Sequence, residues 1–366
     1  MAKGIYVGVS GVARKVKKAY IGVDNKARKV KKGYIGVAGV ARLFFSSEKE
    51  LSYYGTATDL SEAVQSLAGA SNGNYALFAG GTNNSAKKSY YVNAYDVSLT
   101  KSTATNLSSN RAGLKGASVG NYALFAGGDN DSTVDAYDTS LARSTPTALQ
   151  SGRVQLAGAS VGNYALFAGG VASSATRAHV DAYDTTLTRS TPTSLSKARN
   201  RLAGASVGNY ALFAGGYDGS TTYSTVDAYN TSLARSTPTA LSKARRQLEG
   251  ASNKSYAIFA GGQSTVNTVD AYNSSLSRST PAVLSQGRAN PAGASMEEYA
   301  IFAGGNNVAD GVVDAYNTSL VKSTPTKLSE RKSGTAGARV GNYALFAGGN
   351  NGDTYSAIVD VYQEVG

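Results

Sequence analysis

The sequence predicts an all-β protein, a closed ring of seven β-blades preceded by a small module of β-hairpin repeats. Two periodicities and a charge asymmetry predict it. First, Tyr-Ala-Leu/Ile-Phe-Ala-Gly-Gly recurs seven times, starting at Tyr75, Tyr122, Tyr164, Tyr210, Tyr256, Tyr299 and Tyr343, at intervals of 47, 42, 46, 46, 43 and 44 residues. That interval is the size of one four-stranded propeller blade. Each copy is followed by Asn-Ala-Tyr, Asp-Ala-Tyr or Asp-Val-Tyr, ending at Tyr95, Tyr137, Tyr183, Tyr229, Tyr272, Tyr316 and Tyr362. Second, Tyr6-Val7-Gly8-Val9, Tyr20-Ile21-Gly22-Val23 and Tyr34-Ile35-Gly36-Val37 repeat every 14 residues. Third, residues 1–45 carry eleven Lys/Arg against Asp24 alone, which accounts for +10 of the net +12. The basic character belongs to the N-terminal repeat.

Taking 153–196 as the type blade, Ala157-Gly158-Ala159-Ser160 reads as an inner strand of small residues, suited to the crowded axis where blades converge. Gly162-Asn163 makes a tight turn, Tyr164–Ala168 is an apolar second strand and Val180–Tyr183 a third. Thr188–Leu195 is a polar fourth strand. Five of the six prolines fall on that fourth strand, at Pro146, Pro192, Pro238, Pro281 and Pro325. Proline at an outer edge blocks pairing with another molecule. The last copy stops at Tyr362 without a fourth strand, whereas Gly55-Thr-Ala-Thr-Asp-Leu-Ser61 matches the fourth strands elsewhere. The chain is therefore expected to close its seventh blade with its N-terminal strand. The expected boundaries are a module over 1–45, a linker over 46–50 and a propeller over 51–366.

In the N-terminal module, aromatic and β-branched runs separated by Ser10-Gly11, Asp24-Asn25 and Ala38-Gly39 read as six short strands in a meander with a basic face. Arg14, Lys15, Lys17, Lys18, Arg28, Lys29, Lys31 and Lys32 are its candidate docking residues. The alternatives are solubilising edge lysines and, less favoured, phosphate contacts to nucleic acid, since nothing among them reads bases. Open strand edges also allow pairing into a homo-oligomer. The repeat over 3–45 resembles the Tyr-Ile-Gly-Val…Val-Ala-Arg-Lys-Val-Lys-Lys modules at the ends of tailed-phage and prophage virion proteins. The resemblance implies attachment to a virion, through other virion proteins, without saying whether at tail or capsid.

The blade pattern, with Gly-Gly ending the second strand and an aromatic on the third, resembles the kelch repeat. The resemblance spans 51–366 and implies a kelch-like propeller. The chain departs from that pattern in having no Trp, placing Arg/Lys-Ser-Thr-Pro/Ala where kelch blades usually carry one.

Strands repeat nearly verbatim, but the loops between second and third strands do not, and those loops share a face with the blade-to-blade connections. Such a scaffold presents a composite binding surface. Arg111, Arg153, Arg199, Arg245 and Arg288, with Lys332 in the same phase, are candidates to hold a carboxylate or phosphate at the channel mouth. The alternative is that each Arg pairs with a neighbouring blade or caps carbonyls. Tyr90, Tyr91, Tyr217, Tyr223 and Tyr355, beside loop asparagines, suit a glycan. Asp129-Asn130-Asp131, Asp218 and Asn350–Asp353 show no complete cation-ligand spacing, so no metal and no cofactor is expected.

Nor is an enzyme expected. The chain has no Cys and one His, His179, on a variable loop, which excludes thiolate chemistry and copper sites of the two-His type. The recurring Asp135, Asp181, Asp227, Asp270, Asp314 and Asp360 fit a structural hydrogen-bonding role in nearly every blade better than one active site. The start lacks an apolar leader core and no stretch of about 18 apolar residues exists, so the expectation is a protein made in a host cytoplasm, assembled into a virion and not inserted in a membrane. The function expected is a non-enzymatic virion surface protein binding a host-surface glycan or protein through its propeller. A head-fibre or decoration protein without a ligand, and a kelch-type adaptor, are the alternatives.

Overall fold

The computed structural model describes residues 49–308 and 310–366, together with six strands before them: Tyr6–Val9, Val12–Lys15, Ala19–Val23, Lys26–Val30, Lys32–Val37 and Val40–Ser46. The chain divides into two compact units, Met1–Ser52 with Glu364–Gly366, and Tyr53–Gln363.

In the first unit the six strands pair as three antiparallel hairpins. Val9 faces Val12, Val23 faces Lys26 and Val37 faces Val40. Among the described residues these are separate two-stranded ladders, not the expected continuous meander.

The second unit is seven four-stranded antiparallel sheets. The fourth blade is typical, with strands Ala203–Val207, Tyr210–Ala214, Val226–Asn230 and Arg235–Ser236 from axis to rim. Its inner strand alternates buried and half-buried residues, and its second strand is buried on both faces after Tyr210. The outer strand is shorter than expected: in the third blade only Arg189–Ser190 pairs, not Thr188–Leu195. Pro192 has no N–H to donate two residues later. The first blade has Ala104 at that place, and its outer ladder runs one residue longer, Lys101–Thr103.

Period-two alternation decides how blades stack. In the second blade Ala123, Phe125 and Tyr137 pack against the first blade, while Leu124 and Ala126 pack against Phe167 and Tyr183 of the third. Phe and Tyr meet edge-on within each blade, as at Phe213 and Tyr229 with centroids 6.0 Å apart. The Tyr hydroxyl then reaches the preceding blade: Tyr229 donates to Thr193 O at 2.7 Å, Tyr183 to Thr147 O at 2.7 Å and Tyr316 to Ala282 O at 2.8 Å. Tyr137 finds no such partner.

Burial pushes the hydroxyls of Tyr95, Tyr137, Tyr183, Tyr229, Tyr272, Tyr316 and Tyr362 well above the ordinary phenol range. Because the folded values are raised, the unfolded chain ionises first, and stability falls as pH climbs past about 10. Alkaline titration is expected to show loss of β-sheet circular dichroism and the main rise in tyrosinate absorbance as one transition. Ionisation of these seven well before unfolding would contradict their burial.

The ring closes twice over. On each inner strand one glycine meets the glycine of the preceding blade so closely that an added Cβ would lie 2.1 to 2.5 Å from its carbonyl oxygen. The series runs Gly69, Gly116, Gly158, Gly204, Gly250, Gly293, Gly337, and Gly69 meets Gly337. No side chain fits at this approach. At the rim, the strand Glu50–Ala57 lies beside Val359–Val365 as the outermost strand of the seventh sheet. Tyr53 packs edge-on against Tyr362 and donates to Asp360 Oδ1 at 2.9 Å. Burial and that carboxylate push its hydroxyl up to about 12.

Candidate functional site at the channel mouth

The connection from each outer strand to the next inner strand runs along the face that also carries the loops between second and third strands. The two segments pair in backbone bridges, Val154 with Val171, Asn200 with Tyr217, Ala289 with Asn306 and Ser333 with Asn350. In six of the seven blades a buried ion pair pins the connection. Arg111 meets Asp135 at 2.5 Å, Arg153 Asp181 at 2.6 Å, Arg199 Asp227 at 2.8 Å, Arg245 Asp270 at 2.7 Å, Arg288 Asp314 at 2.9 Å and Lys332 Asp360 at 2.7 Å.

These pairs correct the expectation that the arginines form an anion-holding ring. Arg111, Arg153, Arg199, Arg245 and Arg288 are buried, their carboxylate partners are inside the fold, and Nη2 of each also donates to the carbonyl of a second-strand Phe, as Arg199 does to Phe213 at 2.9 Å. No guanidinium fork is left for a ligand. Burial pulls Arg153, Arg199, Arg245 and Arg288 below the usual guanidinium range, against the raising effect of each Asp. The aspartates are equally committed: Asp227 also accepts from Ser196 N at 3.2 Å and from Arg235 at 3.0 Å. The first blade replaces the pair with Val64 and Asn93, both buried, and Asn93 accepts from Ser61 N at 3.0 Å.

Two residues beyond each of these cations, and beyond Val64 in the first blade, the backbone turns left-handed. Ser66, Gly113, Gln155, Arg201, Gln247, Asn290 and Gly334 all lie at φ between +47° and +68°. Around the axis the amide of one donates to the carbonyl of the previous, Gly113 to Ser66 at 2.9 Å, Arg201 to Gln155 at 3.0 Å, Gln247 to Arg201 at 2.9 Å and Asn290 to Gln247 at 2.8 Å. The link from Ser66 to Gly334, at 2.9 Å, joins the first blade to the last. All seven border a basin of about 360 Å³ at the mouth of the axial channel.

Below this rim the inner strands open with Ala68, Ala157, Ala203, Ala292 and Ala336, but with Lys115 in the second blade and Glu249 in the fifth. These two reach each other, Nζ to Oε2 at 3.4 Å, and Glu249 Oε1 also accepts from Gly250 N at 3.2 Å. Both border the mouth basin and a second space of about 370 Å³ along the Gly, Ala and Ser inner strands. In that channel Ser71, Ser118, Ser160, Ser206 and Ser252 each donate N–H to the hydroxyl of the next blade's serine, at 2.8 to 3.3 Å. Arg339 stands in the seventh blade where the others have Ser.

The five candidate tyrosines are spread over the first, fourth and seventh blades. Tyr90 and Tyr91 stack on each other at 4.9 Å, with Tyr90 packed on the core. Tyr217 lies under Arg246, 3.9 Å from its ring centroid, beside the rim. Tyr223 donates to Asp218, whose carboxyl is held low mainly by the Thr221 amide. Tyr355 accepts from Gln65 at 2.9 Å, and its amide donates to Asn84 of the first blade's loop. Asp131 caps Thr133 and Ser109. Among the described residues, no group of three or more His, Asp or Glu is placed to hold a metal. His179 Nδ1 lies 3.3 Å from Ser151 Oγ, and burial and Arg153 lower its ring below the usual range. Of the candidate docking residues, Arg14, Lys15, Arg28, Lys29 and Lys32 fall in hairpin strands, and Lys17, Lys18 and Lys31 lie outside the described residues.

The rim and the Lys115–Glu249 pair were missed from the sequence. The pair left a signal: in a phase otherwise Ala, two departures of opposite charge.

No protein-family model matches the chain, and no curated protein sequence matches it. Solved structures do. The structure titled "Structure of YjhT" superposes with a TM-score of 0.54 over 84% of this chain and 99% of that one, at 12% identity. The fold is a seven-bladed β-propeller. At that identity the likeness extends to the fold alone.

Proposed function

We propose that the chain is a non-enzymatic surface protein of a virion, attached to the particle by residues 1–45 and binding a host-surface saccharide through the loop face of its propeller. The observation that carries the reading is the contrast within each blade. Strands, buried ion pairs and Tyr bolts repeat, while the loops between second and third strands run from five residues, 129–133, to ten, 82–91. A rigid frame with one divergent face is how a fold presents recognition while keeping stability elsewhere. The phage-module resemblance of residues 3–45 supports the attachment half. Weak single sites suffice on a particle, because many copies multiply avidity.

The test is binding of the full chain to intact bacterial cells and to a broad glycan array, beside a variant whose seven variable loops are replaced by short Gly/Asn turns. Binding by the native chain and loss in the variant are expected. A blank result for the native chain on both cells and array overturns the host-surface reading and leaves the decoration role.

A further inference from the structure

Resting on the saccharide reading, we infer that the ligand is a neutral sugar at the end of a chain, seated in the mouth basin on a floor made by the Lys115–Glu249 ion pair. The rim comes first. Non-glycine residues in the left-handed region cost about 1–2 kcal/mol each, and Gly113 and Gly334 show that this turn works with glycine. Yet five blades keep Ser66, Gln155, Arg201, Gln247 and Asn290 there, all bordering the basin. Backbone geometry alone would favour glycine throughout, so what is retained is the side chains. Strained positions cluster at functional sites, and here, unlike the left-handed leucines of the outer turns, the strained side chains ring a basin.

The floor comes next. Lys115 and Glu249 come from blades three steps apart and meet across an axis otherwise lined by small residues. An ion pair this exposed adds little to stability. Its effect is to stand between mouth and channel, making a cup where the other five blades would leave a bore.

The chemistry of the cup selects the ligand. Amides of Gln and Asn each offer donors and an acceptor, and a hydroxyl needs both. The floor offers an ammonium to accept from and a carboxylate to donate to, side by side and neutral as a pair, while the rim's Arg201 has its Nε turned to Gln155 Oε1 at 3.2 Å. At about 360 Å³ the cup is at the small end of ligand sites, the size for one ring rather than a run of them. A closed floor lets a chain end in but does not let a chain pass through.

The experiment uses the full chain with glucose, galactose, mannose and N-acetylglucosamine as probes, read by saturation-transfer NMR, and the glycan array in parallel. One variant, Gln155→Gly/Gln247→Gly, copies the glycine blades and relieves strain. A second, Lys115→Ala/Glu249→Ala, copies the alanine blades. Saturation transfer to at least one monosaccharide is expected, weakened about tenfold in either variant, with circular dichroism unchanged. Array hits should vanish when one further residue caps the chain end. If no monosaccharide shows transfer, or the array hits survive in both variants, the cup is wrong while the host-surface reading stands on the loops. If monosaccharides bind but array and cells are blank, the cup stands and the host-surface reading falls.

Discussion

Replacing Arg199 by Val, with Asp227 left in place, is expected to destabilise the propeller by about 3–5 kcal/mol, the cost of a buried charge without its partner. Arg199 and Asp227 are both fully buried and 2.8 Å apart. Removing the guanidinium leaves Asp227 with two contacts from Ser196 and the half-buried Arg235 at 3.0 Å. The double variant Arg199→Val/Asp227→Asn writes into the fourth blade what the first already has, Val64 and Asn93. It is expected to recover to within about 1 kcal/mol of the native chain, since a buried ion pair roughly balances its desolvation cost. The Nε atoms of all five buried arginines lack a partner, which adds to what the pair costs. Denaturant midpoints of the native chain and the two variants decide it. A double variant as unstable as the single one would mean that the arginine acts through its bond to Phe213 O rather than through compensation of charge.

The same pairs show where sequence reading reaches and where it stops. Arg and Asp recur in fixed phase, and pairing with structure was one of two readings of that recurrence. Choosing between them needed the knowledge that Arg111 and Asp135, 24 residues apart, meet inside the fold. The fold was legible because each blade repeats the same alternation, turn and Gly-Gly. The outer strands were overdrawn because polar residues next to Pro192 resemble a strand in composition while lacking the donor that pairing needs. The rim was hidden for a different reason. Local preference argues against a left-handed Gln155, Arg201 or Gln247, and the closing of a sevenfold ring overrides that preference. Leu99, Leu141, Leu187, Leu233, Leu276 and Leu320 are left-handed too, in turns that the side chain of a preceding Asp or Asn holds. The Lys115–Glu249 contact joins positions 134 apart, and only blade-by-blade alignment of the inner strands exposes it.

Deleting residues 50–61 is expected to convert the propeller into an aggregating species. The strand Glu50–Ala57 covers the outer edge of Val359–Val365, a seven-residue strand with a buried Val-Asp-Val-Tyr segment. Without it, that edge presents a row of unpaired amides and carbonyls, and unlike blades two to six this one has no proline-bearing outer strand of its own to blunt it. Asp360 would lose the hydroxyl of Tyr53 and keep Lys332, and Tyr362 would lose the ring packed on it. Leu60, which donates its amide to Ala357 O at 2.8 Å, would go as well. The propeller's first and last strands meet in this blade, so the deletion opens the ring at its seam. The glycine contacts round the axis are intact in the deleted chain, and they give no protection to the rim. Light scattering and size exclusion at rising concentration check this, with Tyr53→Phe as the graded control. That variant removes one hydrogen bond to a carboxylate, worth about 1.5–3 kcal/mol, and keeps the edge covered, so it is expected to be less stable yet monodisperse to the same degree as the native chain. A deleted chain that stays as disperse and as stable as the native one would mean that the seventh blade is closed by its three C-terminal strands alone.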